Sequence, residues 1–288
     1  MNLYEIRDDL NSVITKKQLE FDLTFQESTH KYTMKDANGV LRNNWPSVSK
    51  VLKKFYEEFD SESISYNKAK GDPAEQKRLL AEWKAAGDYS TNMGSRVHYM
   101  LEKKSHEIFK INKEVRQPEF ECDFMQILKG DSMITAGTKF LNLMNERNGV
   151  LLDTEIVLGH PDLGYAGQPD KVWIIENKKK TEFGLIITDY KTNKPKNFMP
   201  TKFTKKMKQP FGDIDDTALG HYYLQLPFYG KLLIKMLEGT KYEGTPLLGC
   251  IVVLLTEERE FHEYRVSKKT MNTILEMDMK QYLTKIKK

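Results

Sequence analysis

The chain has 288 residues, 39% hydrophobic and 30% charged, with a mean hydropathy of -0.60, enough for one large globular domain or two small ones. Lys and Arg number 45 against 41 Asp and Glu, a formal charge of +4 that is no histone-like excess. No apolar run approaches the roughly 18–20 residues of a membrane span, Met1–Leu10 has neither an apolar signal core nor a transit-peptide composition, and Cys122 and Cys250 alone make neither a disulfide framework nor a four-cysteine metal site.

In chain order, Phe21–Phe25 and Lys31–Met34 read as strands of a small hairpin, with a turn signal at Asp36-Ala-Asn38-Gly39. Ser47 is the expected N-cap of a short helix, since Val48, Val51, Leu52, Phe55 and Phe59 follow at helical spacing. Residues 60–88 are polar and read as loop plus surface helix. Helices are expected over 92–107 and 120–147. β-rich segments follow at Leu151–Leu158, Ala166–Glu176 and Phe183–Tyr190, with Lys178-Lys179-Lys180 in the turn between the last two. A long helix is expected over 216–238, strands at Gly249–Thr256 and Glu260–Val266, and a final helix from 268 onward. The expected class is α/β (α+β): a central mixed β-sheet flanked by helices, with an N-terminal helical region. The expected organisation is one compact domain in three parts. Residues 1–60 form a hairpin and helix on the core, 61–147 a helical region able to form an arch, and 148–288 the core.

The segment richest in chemistry is Gly167-Gln168-Pro169-Asp170, followed by Ile186-Ile187-Thr188-Asp189-Tyr190-Lys191. Asp189 and Lys191 are two apart on a strand and share a face. A hairpin turning at 177–181 brings Asp170 level with Asp189. Two carboxylates then converge on a hard cation with an ammonium beside them, a set suited to metal-dependent phosphodiester hydrolysis. A plainer reading stands beside it: Asp-x-Lys occurs by chance, and Asp170 can serve a turn. Charge at the end of an apolar strand nevertheless needs a partner or a metal.

Pro169-Asp170 with Asp189-Tyr190-Lys191 resembles the signature of the PD-(D/E)XK nuclease superfamily. Further segments resemble its RecB-like exonuclease branch, of the phage-type and mitochondrial genome maintenance kind. They are Gly94-Ser-Arg-Val-His98-Tyr-Met-Leu101-Glu102, the acid Glu155 in Thr154-Glu155-Ile156-Val157, Gln225-Leu-Pro-Phe-Tyr229, and Trp45-Pro46-Ser47-Val48-Ser49. Trp45–Ser49 lies upstream; the other elements occur in the branch's order over residues 94–229, and the resemblance implies a restriction-endonuclease-like core. It also implies that Asp170 and Asp189 are the principal metal ligands, joined by His98 and the Tyr190 backbone carbonyl, with Lys191 the catalytic lysine. Glu155 would serve a second metal, and Gln225 and Tyr229 would brace the site or touch DNA. The alternatives are a plain salt bridge for Glu155, and helix packing for Gln225 and Tyr229. The implied cofactor is Mg²⁺ or Mn²⁺. Two cysteines cannot hold the iron–sulfur cluster of some relatives, and no Gly-x-x-x-x-Gly-Lys-Ser/Thr loop is present to bind a nucleotide.

Two other motifs do not add to this. His160-Pro161-Asp162 lies between strands, unlike the co-chaperone tripeptide it resembles, and is expected to shape a loop. His106-Glu107 lacks the second histidine of a zinc-protease helix.

Residues 177–208 hold ten lysines (178, 179, 180, 191, 194, 196, 202, 205, 206 and 208) against Glu182 and Asp189, a local charge of +8, so the rest of the chain carries -4. Such a run is often only a solvated face. Beside the Asp-x-Lys it reads as DNA contact through Lys178, Lys179, Lys180, Lys194, Lys196, Lys202, Lys205 and Lys206, with Phe198 or Phe203 stacking on a base. The expected function is a metal-dependent DNA exonuclease acting from DNA ends, with single strands preferred. Phage or mobile-element replication, recombination or repair would be its setting. The expected location is cytoplasmic, with no membrane partner and with a replication or recombination protein as possible partner. The alternatives are a structure- or sequence-selective endonuclease, or a non-catalytic DNA-binding scaffold.

Overall fold

The computed structural model describes residues 2–177, 179 and 182–283. It begins with a helix absent from the sequence reading, α1 (Leu3–Glu20), capped by the Asn2 side chain. Only Leu3, Leu10 and Ile14 of α1 are buried, too sparse a stripe to stand out among its charges. Its polar side chains dock it. Arg7 donates to the Phe109 carbonyl at 2.9 Å, Asn11 to that of Leu152 at 2.9 Å, and Gln18 to that of Val157 at 2.8 Å. The strand expected at Phe21–Phe25 is displaced, because Phe21 closes α1 and Asp22 turns with φ of +48°. It becomes β1 (Thr24–Gln26), which joins β2 (Lys31–Lys35) and β3 (Leu41–Trp45) in a three-stranded antiparallel sheet where a hairpin was expected. Asp36 makes the β2–β3 turn by accepting the Asn38 and Val40 N–H groups. Ser47 caps α2 (Val48–Leu52), as expected, accepting the Lys50 N–H.

The helical region holds α3 (Ser61–Lys68), α4 (Pro73–Phe109) and α5 (Phe124–Glu146). The helix expected over 92–107 is only the end of α4, a single helix of 37 residues about 55 Å long. The first half of α4 buries nothing, so no apolar period marks it. Its start is set by Asp72, which caps the Ala74 and Glu75 N–H groups, and by Pro73 in the first turn. α4 and α5 pack closely at Gly137, where a Cβ would lie 2.4 Å from a Leu101 methyl.

The core elements are β4 (Val150–Thr154), β5 (Leu158–His160), β6 (Tyr165–Gly167), β7 (Lys171–Glu176), β8 (Phe183–Lys191), α6 (Ala218–Leu237), β9 (Leu247–Leu255), β10 (Phe261–Arg265), α7 (Lys268–Glu276) and α8 (Lys280–Leu283). Five strands form one mixed sheet in the order β10-β9-β8-β7-β4. β8 and β9 run parallel across the α6 connection, and the other neighbours are antiparallel. This is the expected mixed sheet flanked by helices. One face packs on α4 and α5 through Leu101, Phe140, Trp173, Tyr190 and Val253, and the other on α1 and α6, with α2 against α6 and β6. The final helix breaks between α7 and α8, and Lys285, Lys287 and Lys288 lie outside the described residues. Among the described residues, no helix is long and apolar enough to cross a membrane.

Candidate metal centre

The strand expected over Ala166–Glu176 is two strands. β6 pairs with β5, β7 pairs with β4 and β8, and Gln168-Pro169-Asp170 is the break. Pro169 has no N–H to give a ladder. The break frees Asp170 at the start of β7, an interior strand, and pairing of Lys171 with Thr188 puts Asp170 level with Asp189, as expected. Asp170 Oδ2 accepts the Tyr190 N–H at 2.8 Å and lies 3.2 Å from His98 Nδ1 on α4.

Glu155 follows β4 with φ of +49°, a left-handed conformation that costs a glutamate free energy. It is fastened on both sides: its N–H donates to the Asp170 carbonyl at 3.2 Å, and its carbonyl accepts from Gln168 Nε2 at 3.3 Å. The bend aims its carboxylate at Asp170 and His98. One ligand atom from each of His98, Glu155 and Asp170 falls within 4.8 Å of the others. Asp189, expected as a principal ligand, lies beside this group and outside it. Its Oδ2 turns to the Lys191 ammonium, in an ion pair without an aligned hydrogen bond, and is otherwise unsatisfied although buried. Lys191 also lies 4.2 Å over the Tyr222 ring.

The electrostatics follow from burial and crowding. Burial opposes ionisation of Asp170, but His98, Lys191 and Lys171 outweigh it and hold its carboxyl well below the usual range. Burial, then Asp170, raise both Glu155 and Asp189. For His98, burial favours the neutral ring, but the charge and hydrogen bond of Asp170 prevail and raise it. Burial likewise opposes the Lys191 ammonium, and Asp189 and Asp170 overcome it to raise the group. A set of one imidazole nitrogen and two carboxylate oxygens, with a further under-satisfied carboxylate beside it, is able to hold a divalent cation.

Four neighbours have no role in the site on the sequence alone. Lys171, next to Asp170, is 3% exposed, and its ammonium lies 4.2 Å over the Tyr190 ring. Burial pulls it below the ordinary lysine range, against the surrounding acids. Its signal was a lysine opening the apolar run Val172-Trp-Ile-Ile175. Glu102, one helical turn after His98, accepts from Thr154 Oγ1 at 2.9 Å. His106 lies 2.8 Å from the same hydroxyl and 3.0 Å from the Lys113 carbonyl, so it ties α4 to β4. Lys113 reaches Asp153 and the Thr154 carbonyl, both at 3.0 Å, and fastens the chain after α4 beside Glu155.

The group opens into a cleft of about 1640 Å³ between α4, the N-terminal sheet and the end of β8. Gln225 and Tyr229 are on its wall, with Gln225 Nε2 donating to the Tyr229 hydroxyl at 2.8 Å. Tyr229 closes on Gly167, where a Cβ would lie 2.5 Å from its ring. Among the described lysines of the run, only Lys191, Lys194 and Lys196 line the cleft. Lys205 pairs with Glu57, Lys206 with Asp215, and Lys208 donates to the Tyr56 carbonyl; Lys202 does not line the cleft. Lys179 sits in the turn at the far end of the β7–β8 hairpin, roughly 20 Å from Asp189; Lys178 and Lys180 lie outside the described residues. Phe198, an expected base-stacking ring, is fully buried against Tyr222 and Tyr264, whereas Phe203 is 93% exposed. His160-Pro161-Asp162 makes the β5–β6 turn, where the Asp162 N–H meets His160 Nδ1 at 3.2 Å.

No protein-family model matches the chain, and no curated protein matches it either.

Proposed function

We propose that this chain is a Mg²⁺- or Mn²⁺-dependent deoxyribonuclease that hydrolyses phosphodiester bonds from DNA ends. The observation that carries the reading is the meeting of His98, Glu155 and Asp170 beside the Asp189–Lys191 pair at a large cleft. The cleft exceeds the roughly 300–1,000 Å³ of small-molecule pockets, which favours a polymer. A divalent cation held by His98, Glu155 and Asp170 would neutralise phosphate charge and acidify a water. The chain's own residues supply the rest. The Tyr190 N–H fixes the Asp170 carboxylate, and the bend at Glu155 fixes the third ligand. Lys191, steadied by Asp189 and the Tyr222 ring, offers an ammonium to a phosphate oxygen as charge builds there. The preference for ends and for single strands, and a role in phage DNA replication, recombination or repair with a partner protein, rest on the resemblance to RecB-like exonucleases.

End-labelled linear DNA and closed circular DNA, each with Mg²⁺ or EDTA, provide the test. The linear substrate should be degraded only with Mg²⁺ and the circle left intact. Asp189→Asn and Lys191→Met should each lose roughly a hundredfold or more in rate. Variants as fast as the wild type overturn the site; a cut circle makes the enzyme an endonuclease on the same core.

A further inference from the structure

Phe198 and Phe203, the rings expected to stack on a base, do not line the cleft. Phe25, His30 and Tyr32 of the N-terminal sheet do. Phe25 and Tyr32 are register partners on β1 and β2 and so share a face. Their rings meet at 4.7 Å with a tilt of 33°. A 3-10 turn at Glu27–Thr29 closes on His30 with φ of +53°, a left-handed conformation that costs a histidine free energy. From there the His30 ring stands edge-on to Phe25, at 5.2 Å and 82°. Phe25 is thus held by two rings, half-buried, and still part of the cleft wall. It is also tied to the candidate metal centre. The Tyr32 hydroxyl donates to Gln168 Oε1 at 3.4 Å, and Gln168 Nε2 donates to the Glu155 carbonyl at 3.3 Å.

Charge distinguishes this wall from the one at the end of β8. Beside the Phe25 turn, Arg116 is spent on Glu27 at 3.0 Å. After β8, Lys194 and Lys196 are exposed on the cleft and, among the described residues, have no ion-pair partner. A polyanion therefore meets unspent cations on one wall and aromatic surface on another. A single strand matches both, with phosphates toward the lysines and unpaired bases free to stack on rings. A duplex keeps its bases stacked on one another and offers none to Phe25. We propose that Phe25, steadied by Tyr32 and His30, is a stacking platform for an unpaired nucleobase, with the strand's backbone on Lys194 and Lys196. This rests on the reading of the cleft as a DNA site and gives that site a single-stranded substrate in a fixed facing.

The test compares labelled oligothymidylate with an abasic oligomer of the same length and charge, by fluorescence anisotropy with Ca²⁺. The wild type should bind the thymidylate more tightly. Phe25→Leu, shown to be folded by circular dichroism, should narrow that ratio by about fivefold to a hundredfold, and Phe25→Tyr should keep it. A folded Phe25→Leu with the wild-type ratio overturns the inference and leaves the nuclease reading standing, as does a wild type that binds the two oligomers equally. A wild type that binds neither overturns the DNA reading and the inference with it. If Phe25→Leu does not fold, irradiation of the wild type with an oligomer carrying 5-iododeoxyuridine needs no variant. A crosslink mapped to Phe25 by mass spectrometry supports the platform, and crosslinks elsewhere, or none, overturn it.

Discussion

A single carboxylate, Asp170, joins three structures. It accepts a strand N–H from Tyr190, meets a helix through His98, and sits beside the bend that presents Glu155. Removing its charge while keeping an acceptor separates its tasks, because Asp170→Asn can still receive the Tyr190 N–H. Mn²⁺ at a hundred times its dissociation constant should stabilise the wild type by about 2.7 kcal/mol. Asp170→Asn should fold and show almost none of that gain, measured as the metal-dependent rise in melting temperature. An equal rise in both proteins excludes Asp170 as a ligand. Asp170, Asp189 and Lys191 were legible in the sequence because charge ending an apolar strand is conspicuous. The orientation of Asp189 toward Lys191 was not, since a strand period gives the face of a side chain and not its partner. The place of Glu155 depends on a left-handed backbone at a non-glycine residue, which composition does not reveal.

At the level of elements, several ends are held by side chains rather than by apolar burial. Lys231 on α6 is 8% exposed and donates to the Ile274 and Leu275 carbonyls at 3.0 and 2.9 Å, and to that of Met277. It thus caps the end of α7, whose last carbonyls have no partner within the helix. Lys231→Met leaves those carbonyls unpaired and should cost about 1–3 kcal/mol, read as a lower urea midpoint; an unchanged midpoint would show that water replaces the ammonium. α1 is secured similarly. Asp9 is held below its ordinary value of 3.8 by hydrogen bonds from Lys241 and Tyr242. A lowered carboxylate stabilises the fold above its unfolded value, and that contribution fades as pH falls through the folded one. Amide exchange in α1 should therefore quicken below about pH 4, and Asp9→Asn should remove that acid-sensitive part. Such ties explain which elements were legible. α5, β8 and β9 show their apolar pattern in the sequence, whereas α1 and the first half of α4 are set by caps and distant carbonyls that carry no period.

For the whole molecule, the distribution of charge is the informative property. The +8 of residues 177–208 reads as a continuous stripe in the sequence, but folding disperses it. Among the described residues, Lys179 sits in a turn at the far end of the sheet, Lys205 and Lys206 pair with Glu57 and Asp215, and Lys191, Lys194 and Lys196 face the cleft. Buried Phe198 anchors the segment, so it is no free arm. Polyanion affinity should then depend on few of the ten lysines. Each cation neutralising a phosphate of a single strand contributes about 0.7 to the slope of log affinity against log salt. The double variant Lys194→Gln with Lys196→Gln should flatten that slope by about 1.4, measured by fluorescence anisotropy with a labelled oligonucleotide and Ca²⁺ in place of Mg²⁺. Lys205→Gln with Lys206→Gln should leave it unchanged, since those ammonium groups are already spent on carboxylates outside the cleft. If the second pair flattens the slope instead, the strand runs over the outer face of the loop and the cleft is not its path.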